Sequence, residues 1–291
     1  MIHMISLKLK KVVCPPEGQC PIYRQETGLL SRLRAGVVTF PKPRWDVLSV
    51  PFAALALLFT WQLLVWLTRY PSFVLPSPAD VFNTAQRVIA DGTLWRHTSV
   101  TLAEVGGGLG LGLVAAFLLG YPLAKSRQLE RLSTPFLIVS QSVPIVAIAP
   151  LVIIWFGSGP LSKVLISALI VFFPLLISIV VGIRDVPKEL HELMRSLEAS
   201  RWQTFWWLEV PSALPVFLGG LRIGVTLSVV GAVVGEFVGA DQGLGFMINQ
   251  ARGLFNTPLV FVAVLTLVVI ALTLYGLVML LEKWLLRWRD S

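Results

Sequence analysis

Charged residues are scarce in this chain of 291 residues: Asp, Glu, Lys and Arg make up only 14% of it, whereas hydrophobic residues make up 55%. A soluble domain carries roughly 25% charged residues, so the composition excludes an ordinary soluble protein. What the chain has instead is repeated apolar runs of about 18–25 residues, each long enough to cross a hydrocarbon core as a helix. The composition therefore predicts an all-α, polytopic membrane protein.

Motifs for catalysis and metal binding are also missing. The only two cysteines, Cys14 and Cys20, form a lone C-x5-C in a chain with just three histidines, which disfavours a metal site. No G-x-x-x-x-G-K-[ST] phosphate loop, no H-E-x-x-H and no G-x-S-x-G occurs. We therefore expect no catalytic residue, no metal and no cofactor in this chain, and a membrane-embedded enzyme is a weak alternative.

Six membrane spans are predicted, with a polar extension before them. The spans cover about 47–67, 98–120, 133–156, 162–183, 212–238 and 258–282. Residues 1–46 are predicted to be an amino-terminal extension, and 47–291 a transmembrane domain. The second and fifth spans repeat glycine at short spacing, which lets helix backbones approach closely in lipid. Pro144 and Pro150 in the third span and Pro174 in the fourth are expected to disturb their helices locally, as in broken helices that line a cavity.

The distribution of Lys and Arg predicts the orientation of the chain. Of 24 such residues, 18 fall in segments on one side of the predicted spans, five fall on the other side, and Arg222 lies within the fifth span. Lys and Arg accumulate in cytoplasmic loops. Both termini and the polar loop 184–210 are therefore expected in the cytoplasm. Because topology explains the net charge of +8, nucleic acid is not expected as a partner.

A few polar side chains in the apolar spans are candidates for a substrate path. Ser140, Gln141 and Ser142 come just before Pro144, and we expect them to point into the bundle because polar groups are costly to expose to lipid. Bonding between helices is an equally good interpretation of them. Glu236, near the outer end of the fifth span, either reaches the outer interface or lines a vestibule. Asn249 follows a Gly-rich outer loop that could form part of a gate.

The loop 184–210 contains apolar residues at helical spacing between charged ones, so we expect short amphipathic helices that dock against a partner. It resembles the EAA loop of permease subunits of ATP-binding cassette importers, whose pattern is E-A-A, three residues, G, nine residues, I-x-L-P. Here Glu192-Leu193-Met194 occupies the first triplet and Leu208-Glu209-Val210-Pro211 the last segment. Glu198 stands at the glycine position. If that position needs a positive φ, glutamate costs on the order of 1 kcal/mol there; otherwise the turn is shifted, or helical through Glu198.

This resemblance covers about residues 75–289 and implies the partners. It implies a plasma-membrane permease that pairs with a second copy of itself, rests on a dimer of separate ATP-binding subunits, and receives solute from an extracytoplasmic binding protein. A short helix around Ser196–Arg201 would sit in a cleft of the ATPase, which alone would bind ATP. The residues that the resemblance assigns to this coupling are Glu192, Arg195, Ser196, Leu197, Glu198, Ala199, Ser200 and Arg201.

Two further runs indicate the branch of the family. Residues 141–165 and 231–245 look like the sulfonate, taurine, nitrate and vitamin-precursor permeases, and VPIVAIAP and VVGEFVGA look closest to permeases for riboflavin or the hydroxymethylpyrimidine precursor of thiamine. A vitamin or vitamin precursor is therefore the expected substrate, with a sulfonate, taurine or nitrate permease as the alternative. A stand-alone secondary carrier is less favoured, because few acidic residues are predicted near the membrane midplane.

Overall fold

The computed structural model describes residues 45–287, and every regular element in that range is a helix. Helices follow from the apolar runs, because a chain in lipid must satisfy its backbone hydrogen bonds within each segment. In chain order the elements are α1 Trp45–Thr68, α2 Pro78–Ala90, α3 Thr93–Lys125, α4 Arg127–Ser142, α5 Ile145–Phe156, α6 Pro160–Arg184, α7 Lys188–Ser196, α8 Arg201–Thr204, a π-helical turn Phe205–Glu209, α9 Val210–Gly239, α10 Leu244–Gly253 and α11 Thr257–Leu285.

Four helices, α3, α6, α9 and α11, are individually long and apolar enough to cross a membrane, and α4 with α5 forms one further, bent candidate. The first predicted span, 47–67, coincides with α1, of which the apolar stretch Leu55–Thr68 is shorter than a full crossing. Contacts divide the chain into units Met1–Ala56 and Leu57–Ser291, and all contacts reported below lie in the second. The predicted extension 1–46, with both cysteines, lies outside the described residues except for the first two residues of α1.

Helix α6 packs against both α3 and α9, and glycines allow the close approach. Gly108 of α3 and Gly231 of α9 both lie against Ser167 of α6, so closely that a Cβ on either glycine would collide with that serine. The Ser167 hydroxyl donates a hydrogen bond to the backbone oxygen of Ser228 in α9, at 3.0 Å. The prediction that glycines of the second and fifth spans serve helix packing is confirmed.

The third predicted span is broken at Pro144, whereas Pro150 and Pro174, which were also expected to disturb their helices, lie within α5 and α6 without interrupting them. Helices α4 and α5 meet at 91°, and Val143 and Pro144 between them have extended backbone conformations. Proline disfavours the helical conformation of the residue before it, so the break follows from local sequence.

Helix α11 joins this core through α9. Arg222 of α9 forms an ion pair with Glu282 of α11. Trp61 stacks on Phe261 of α11, with ring centroids 5.2 Å apart. Helix α2 starts with a capping box in which the Ser77 hydroxyl accepts a hydrogen bond from the amide of Asp80, at 3.1 Å. This start follows from the local sequence, because serine is a favoured cap and proline is favoured at the first helical position.

Candidate functional site

The loop 184–210 folds into two short helices, as predicted. We call Lys188–Glu209 the coupling segment; it comprises α7, α8 and the π turn. Along one face of α7, spaced at three and four residues, the side chains of Leu190, Leu193 and Leu197 are exposed, the last two by 54% and 68%. An extramembrane helix with a solvent-facing apolar stripe has the form of a helix that docks into a groove on a partner.

Helix α7 ends in a left-handed turn at Glu198, whose φ is +53°. The amide of Ala199 donates to the carbonyl of Met194 and the amide of Glu198 to that of Arg195, each at 3.0 Å. This pair of bonds is the Schellman ending, in which glycine is the preferred residue at the position that Glu198 occupies. Among the conformations considered for this position, the structure therefore has the left-handed one, without the glycine that usually accompanies it.

Helix α8 begins immediately after this turn, with a second capping box. The Ser200 hydroxyl accepts from the amide of Gln203 at 3.2 Å, and the Gln203 side chain accepts from the amide of Ser200 at 2.8 Å. The expectation of a short helix around Ser196–Arg201 is wrong. Those residues form the end of α7, the turn and the start of α8, because the left-handed residue and the serine cap each interrupt the helix.

The π turn Phe205–Glu209 carries a buried carboxylate, Glu209, which was not among the candidate site residues. The Glu209 side chain is 2% exposed and forms an ion pair with Lys125, at the end of α3, whose side chain is 42% exposed. The Tyr121 hydroxyl donates to the other Glu209 oxygen at 3.4 Å. The extra residue per turn of a π helix changes which side chains face inward, and such turns occur often at functional sites.

A second polar contact fixes the same end of α3. Arg184, the last residue of α6, donates to the carbonyl oxygens of Leu123 at 2.8 Å and Ala124 at 3.3 Å and forms an ion pair with Glu130 of α4. Carbonyl groups at a helix end lack partners within the helix, and a cation there also interacts well with the helix dipole. The coupling segment is thus held to α3 through Glu209, while α6, which precedes it, is held to α3 through Arg184.

A cleft of about 890 Å³ lies between α7, α8 and the end of α3. Its lining includes four of the eight residues assigned to coupling: Glu192, Arg195, Ala199 and Arg201. The other four, Ser196, Leu197, Glu198 and Ser200, are exposed and lie at the end of α7 and in the turn. The coupling residues therefore divide between a charged concave face and an exposed tip.

At the opposite end of α3 and α9, Glu236 is buried, with 1% of its surface exposed. Its carboxylate accepts a hydrogen bond from the Thr101 hydroxyl of α3 at 2.6 Å and one from the amide of Gly245, in the first turn of α10. The amide of Leu244 donates to the Thr101 hydroxyl oxygen at 2.9 Å. A carboxylate at a helix amino terminus is stabilised by the unpaired amides there. We call this network the Glu236 latch.

Glycines make the Glu236 latch possible. A Cβ on Gly245 would lie 2.7 Å from one Glu236 oxygen, and a Cβ on Gly243, whose φ is +113°, would lie still closer to the other oxygen. The amide of Gly243 also donates to His97 Nδ1 at 3.0 Å. The two glycines at the start of α10 are thus required because the backbone there must approach a buried acid. Two further charged residues, Glu104 and Lys163, are buried among the same helices.

The remaining candidates for a substrate path lie apart from one another. Ser140, Gln141 and Ser142 are exposed at the end of α4, so in this single chain they do not point into the bundle as expected. Asn249 of α10 is exposed and accepts a hydrogen bond from Arg252 at 2.9 Å. Within residues 45–287 no hydrogen bond joins the α4 group to Asn249 or to Glu236.

Comparisons with known proteins agree with this architecture. Residues 108–288 match the family described as binding-protein-dependent transport system inner membrane component. The riboflavin transport system permease protein RibX of Chloroflexus aurantiacus is 49% identical over 92% of this chain and 100% of its own length. The formylaminopyrimidine transport permease protein ThiX of Halalkalibacterium halodurans is 34% identical over 86% and 99%.

More distant relatives extend the comparison. The taurine transport system permease protein TauC of Escherichia coli is 31% identical over 86% of this chain and 94% of its own length. In fold, the chain is similar to a chain of the inward-facing MetNI methionine ABC transporter, with a TM-score of 0.55 at 18% identity over 66% of this chain and 94% of that one. The family match covers more than half of the chain, and the chain therefore belongs to the inner membrane permease components of binding-protein-dependent ABC importers.

Proposed function

We propose that the chain is the permease subunit of an importer for a heteroaromatic vitamin or vitamin precursor, and that it performs no covalent chemistry itself. The names of its relatives support the substrate class: a riboflavin permease at 49% identity and a formylaminopyrimidine permease at 34%. The taurine permease, at 31% identity, supports a sulfonate as the second candidate. Two copies of the chain would enclose the path, with the exposed Ser140, Gln141 and Ser142 and the outer Asn249 contributing to it.

In this proposal, the coupling segment and both termini are cytoplasmic, which the Lys and Arg distribution favours. The single observation that carries the docking role is the exposed stripe of Leu190, Leu193 and Leu197 on a helix otherwise rich in charge. A separate ATPase dimer would bury this stripe together with the turn at Glu198. ATP would be bound by that partner, and an extracytoplasmic binding protein would deliver the solute.

The mechanism follows from differential binding. ATP favours the closed ATPase dimer, and closing it draws the two coupling segments together, which shifts the permeases from an inward- to an outward-facing population. Because Glu209 is paired with Lys125 and Arg184 binds the end of α3, displacement of the coupling segment would be passed directly to α3 and α6. Glu236, buried within its latch, would act on the path by holding the outer loop rather than by touching solute.

The docking role is tested by association of the purified subunits. Leu193→Glu places a charge in the apolar stripe, and we expect it to abolish co-purification of the ATPase while the permease still inserts in the membrane. Gln128→Glu adds the same charge on exposed α4 and is the matched control, expected to leave association unchanged. Normal association of the Leu193→Glu variant would refute the docking face.

The importer itself is tested in reconstituted vesicles. Uptake should require the ATPase, the binding protein and ATP together, and uptake driven by an ion gradient alone would instead indicate a secondary carrier. Riboflavin, hydroxymethylpyrimidine, formylaminopyrimidine and taurine are then compared as labelled solutes. Uptake of taurine alone would replace the vitamin assignment with the sulfonate one.

A further inference from the structure

The cleft between α7, α8 and α3 has an excess of positive charge. Four cationic side chains line it, Lys125, Lys188, Arg195 and Arg201, against only two acids, Glu192 and Glu209. Lys125 and Glu209 neutralise each other. Within the described residues 45–287, the other three cations form no ion pair. The cleft is therefore ready to accept an anion.

The shape of the cleft also suits a ligand. Lys188, His191, Glu192 and Arg195 are spaced at three and four residues, so they share one face of α7, away from the apolar stripe that would meet the ATPase. Tyr121 and Thr204 line the facing side, and their hydroxyl groups donate to Glu209 and to the carbonyl oxygen of Ser200. A volume of about 890 Å³ lies within the usual range of ligand sites, roughly 300–1,000 Å³. Lysine and arginine side chains arranged around a cleft are the donors that bind phosphate.

We propose that this cleft binds the phosphate of an anionic headgroup or phosphate ester, and that the bound anion bridges α7 to α8 and α3. The surroundings favour a phospholipid as the source. Trp202, Trp206 and Trp207, next to the cleft, are each at least half exposed, as tryptophans are at membrane interfaces. The helical stretch Arg201–Gly239 has 39 residues, about twice the number needed to cross a hydrocarbon core, so it extends well beyond that core.

Lipid binding to the purified permease alone tests this, independently of any ATPase. The chain in neutral detergent is titrated with phosphatidylglycerol, phosphatidylcholine or glycerol phosphate, and bound ligand is counted by native mass spectrometry. We expect retention of phosphatidylglycerol but not of phosphatidylcholine. The double variant Lys188→Gln/Arg195→Gln should bind phosphatidylglycerol about 30-fold more weakly, as expected for two cations removed near an anionic headgroup.

Controls separate the site from general charge. Arg127→Gln/Arg131→Gln removes two cations of α4 that do not line the cleft and should bind as the unchanged chain does. Lys188→Arg/Arg195→Lys keeps the charges and should restore binding, which excludes misfolding as the cause of loss. Displacement of phosphatidylglycerol by glycerol phosphate would assign a soluble phosphate ester to the same site. Equal binding by the Lys188→Gln/Arg195→Gln and Arg127→Gln/Arg131→Gln variants would overturn the proposal.

Discussion

In the ion pair between Lys125 and Glu209, the acid is buried and the lysine is partly exposed. We therefore predict that removing the lysine lowers the free energy of unfolding more than removing the acid does. Lys125→Met leaves the carboxylate of Glu209, which is 2% exposed, without its cation. Breaking a fully buried pair in this way costs about 3–5 kcal/mol. Since Lys125 itself is 42% exposed in the cleft, water moderates the cost, and we expect a loss of about 2–3 kcal/mol.

Replacing the acid instead of the lysine should lower the free energy of unfolding only slightly. In Glu209→Gln the lysine is already in contact with water, and the amide oxygen still accepts a hydrogen bond from Lys125. The amide NH2 group then donates to the Tyr121 hydroxyl oxygen in place of the bond that Glu209 accepts from it. The expected cost is about that of a surface pair, at most 1 kcal/mol. Removing both charges with Lys125→Met/Glu209→Leu should restore most of the stability, because an apolar pair replaces a buried ionic one at little cost.

Thermal unfolding in one detergent measures these differences. At about 2–4 °C per kcal/mol for a chain of this size, Lys125→Met should lower the Tm by roughly 6 °C and Glu209→Gln by roughly 2 °C. When the Lys125→Met permease is reconstituted with the proposed ATPase and binding protein, less solute should be transported per ATP that the ATPase hydrolyses, since the coupling segment loses its ion pair with α3. A Glu209→Gln variant as unstable as Lys125→Met, or a double variant no better than Lys125→Met, would refute the argument.

Three further substitutions test other parts of the molecule. Glu198→Gly relieves the left-handed strain and should stabilise the turn by about 1 kcal/mol, which slows amide hydrogen exchange in the turn about fivefold. Glu198→Ala keeps the strain and should not slow the exchange. Equal protection of the turn in both variants would contradict this reasoning. Gly245→Ala should loosen the Glu236 latch, seen as faster exchange at the start of α10, while Gly253→Ala, with open space around it, serves as its control. Thr101→Val leaves buried polar groups of the latch unpaired and should cost about 1–3 kcal/mol in thermal unfolding; Thr101→Ser should restore stability, and a stable valine variant would count against the latch.

Features encoded by neighbouring residues were predictable from the sequence. The spans follow from apolar runs, the break after α4 from Pro144, and the start of α2 from Ser77 and Pro78, because each depends only on a few adjacent residues. The amphipathic helices of the coupling segment were likewise predicted, although the exact helix limits were not. The left-handed turn at Glu198 lies between α7 and α8, so it divides the helix that the family resemblance implied.

Features that join distant residues were not predictable. Glu209 and Lys125 are separated by 84 positions, and the acid faces inward in the π turn. The only local signal for this ion pair was that Glu209 is a single acid among apolar residues. Glu236 was recognised as a candidate in the fifth span, but its two partners, the Thr101 hydroxyl of α3 and the amide of Gly245 in α10, lie far from it in sequence or on the next helix. The glycines at 243 and 245 were the available signal, since backbone that must pass close to a buried group tolerates no side chain.

The polar contacts at the two ends of α3 explain how the coupling segment and the Glu236 latch are connected. Thr101 and Tyr121 are 20 residues apart, which in a helix corresponds to about 30 Å, the thickness of a hydrocarbon core. Each contacts an acid of the segment leading through α9, Glu236 at one end and Glu209 at the other. Between these two contacts, α3 and α9 pack against α6 so closely that neither Gly108 nor Gly231 has room for a methyl group beside Ser167. Because a core packed in this way resists gradual deformation, a displacement of the coupling segment should move α3, α6 and α9 as one body and reach the outer loop through the Glu236 latch.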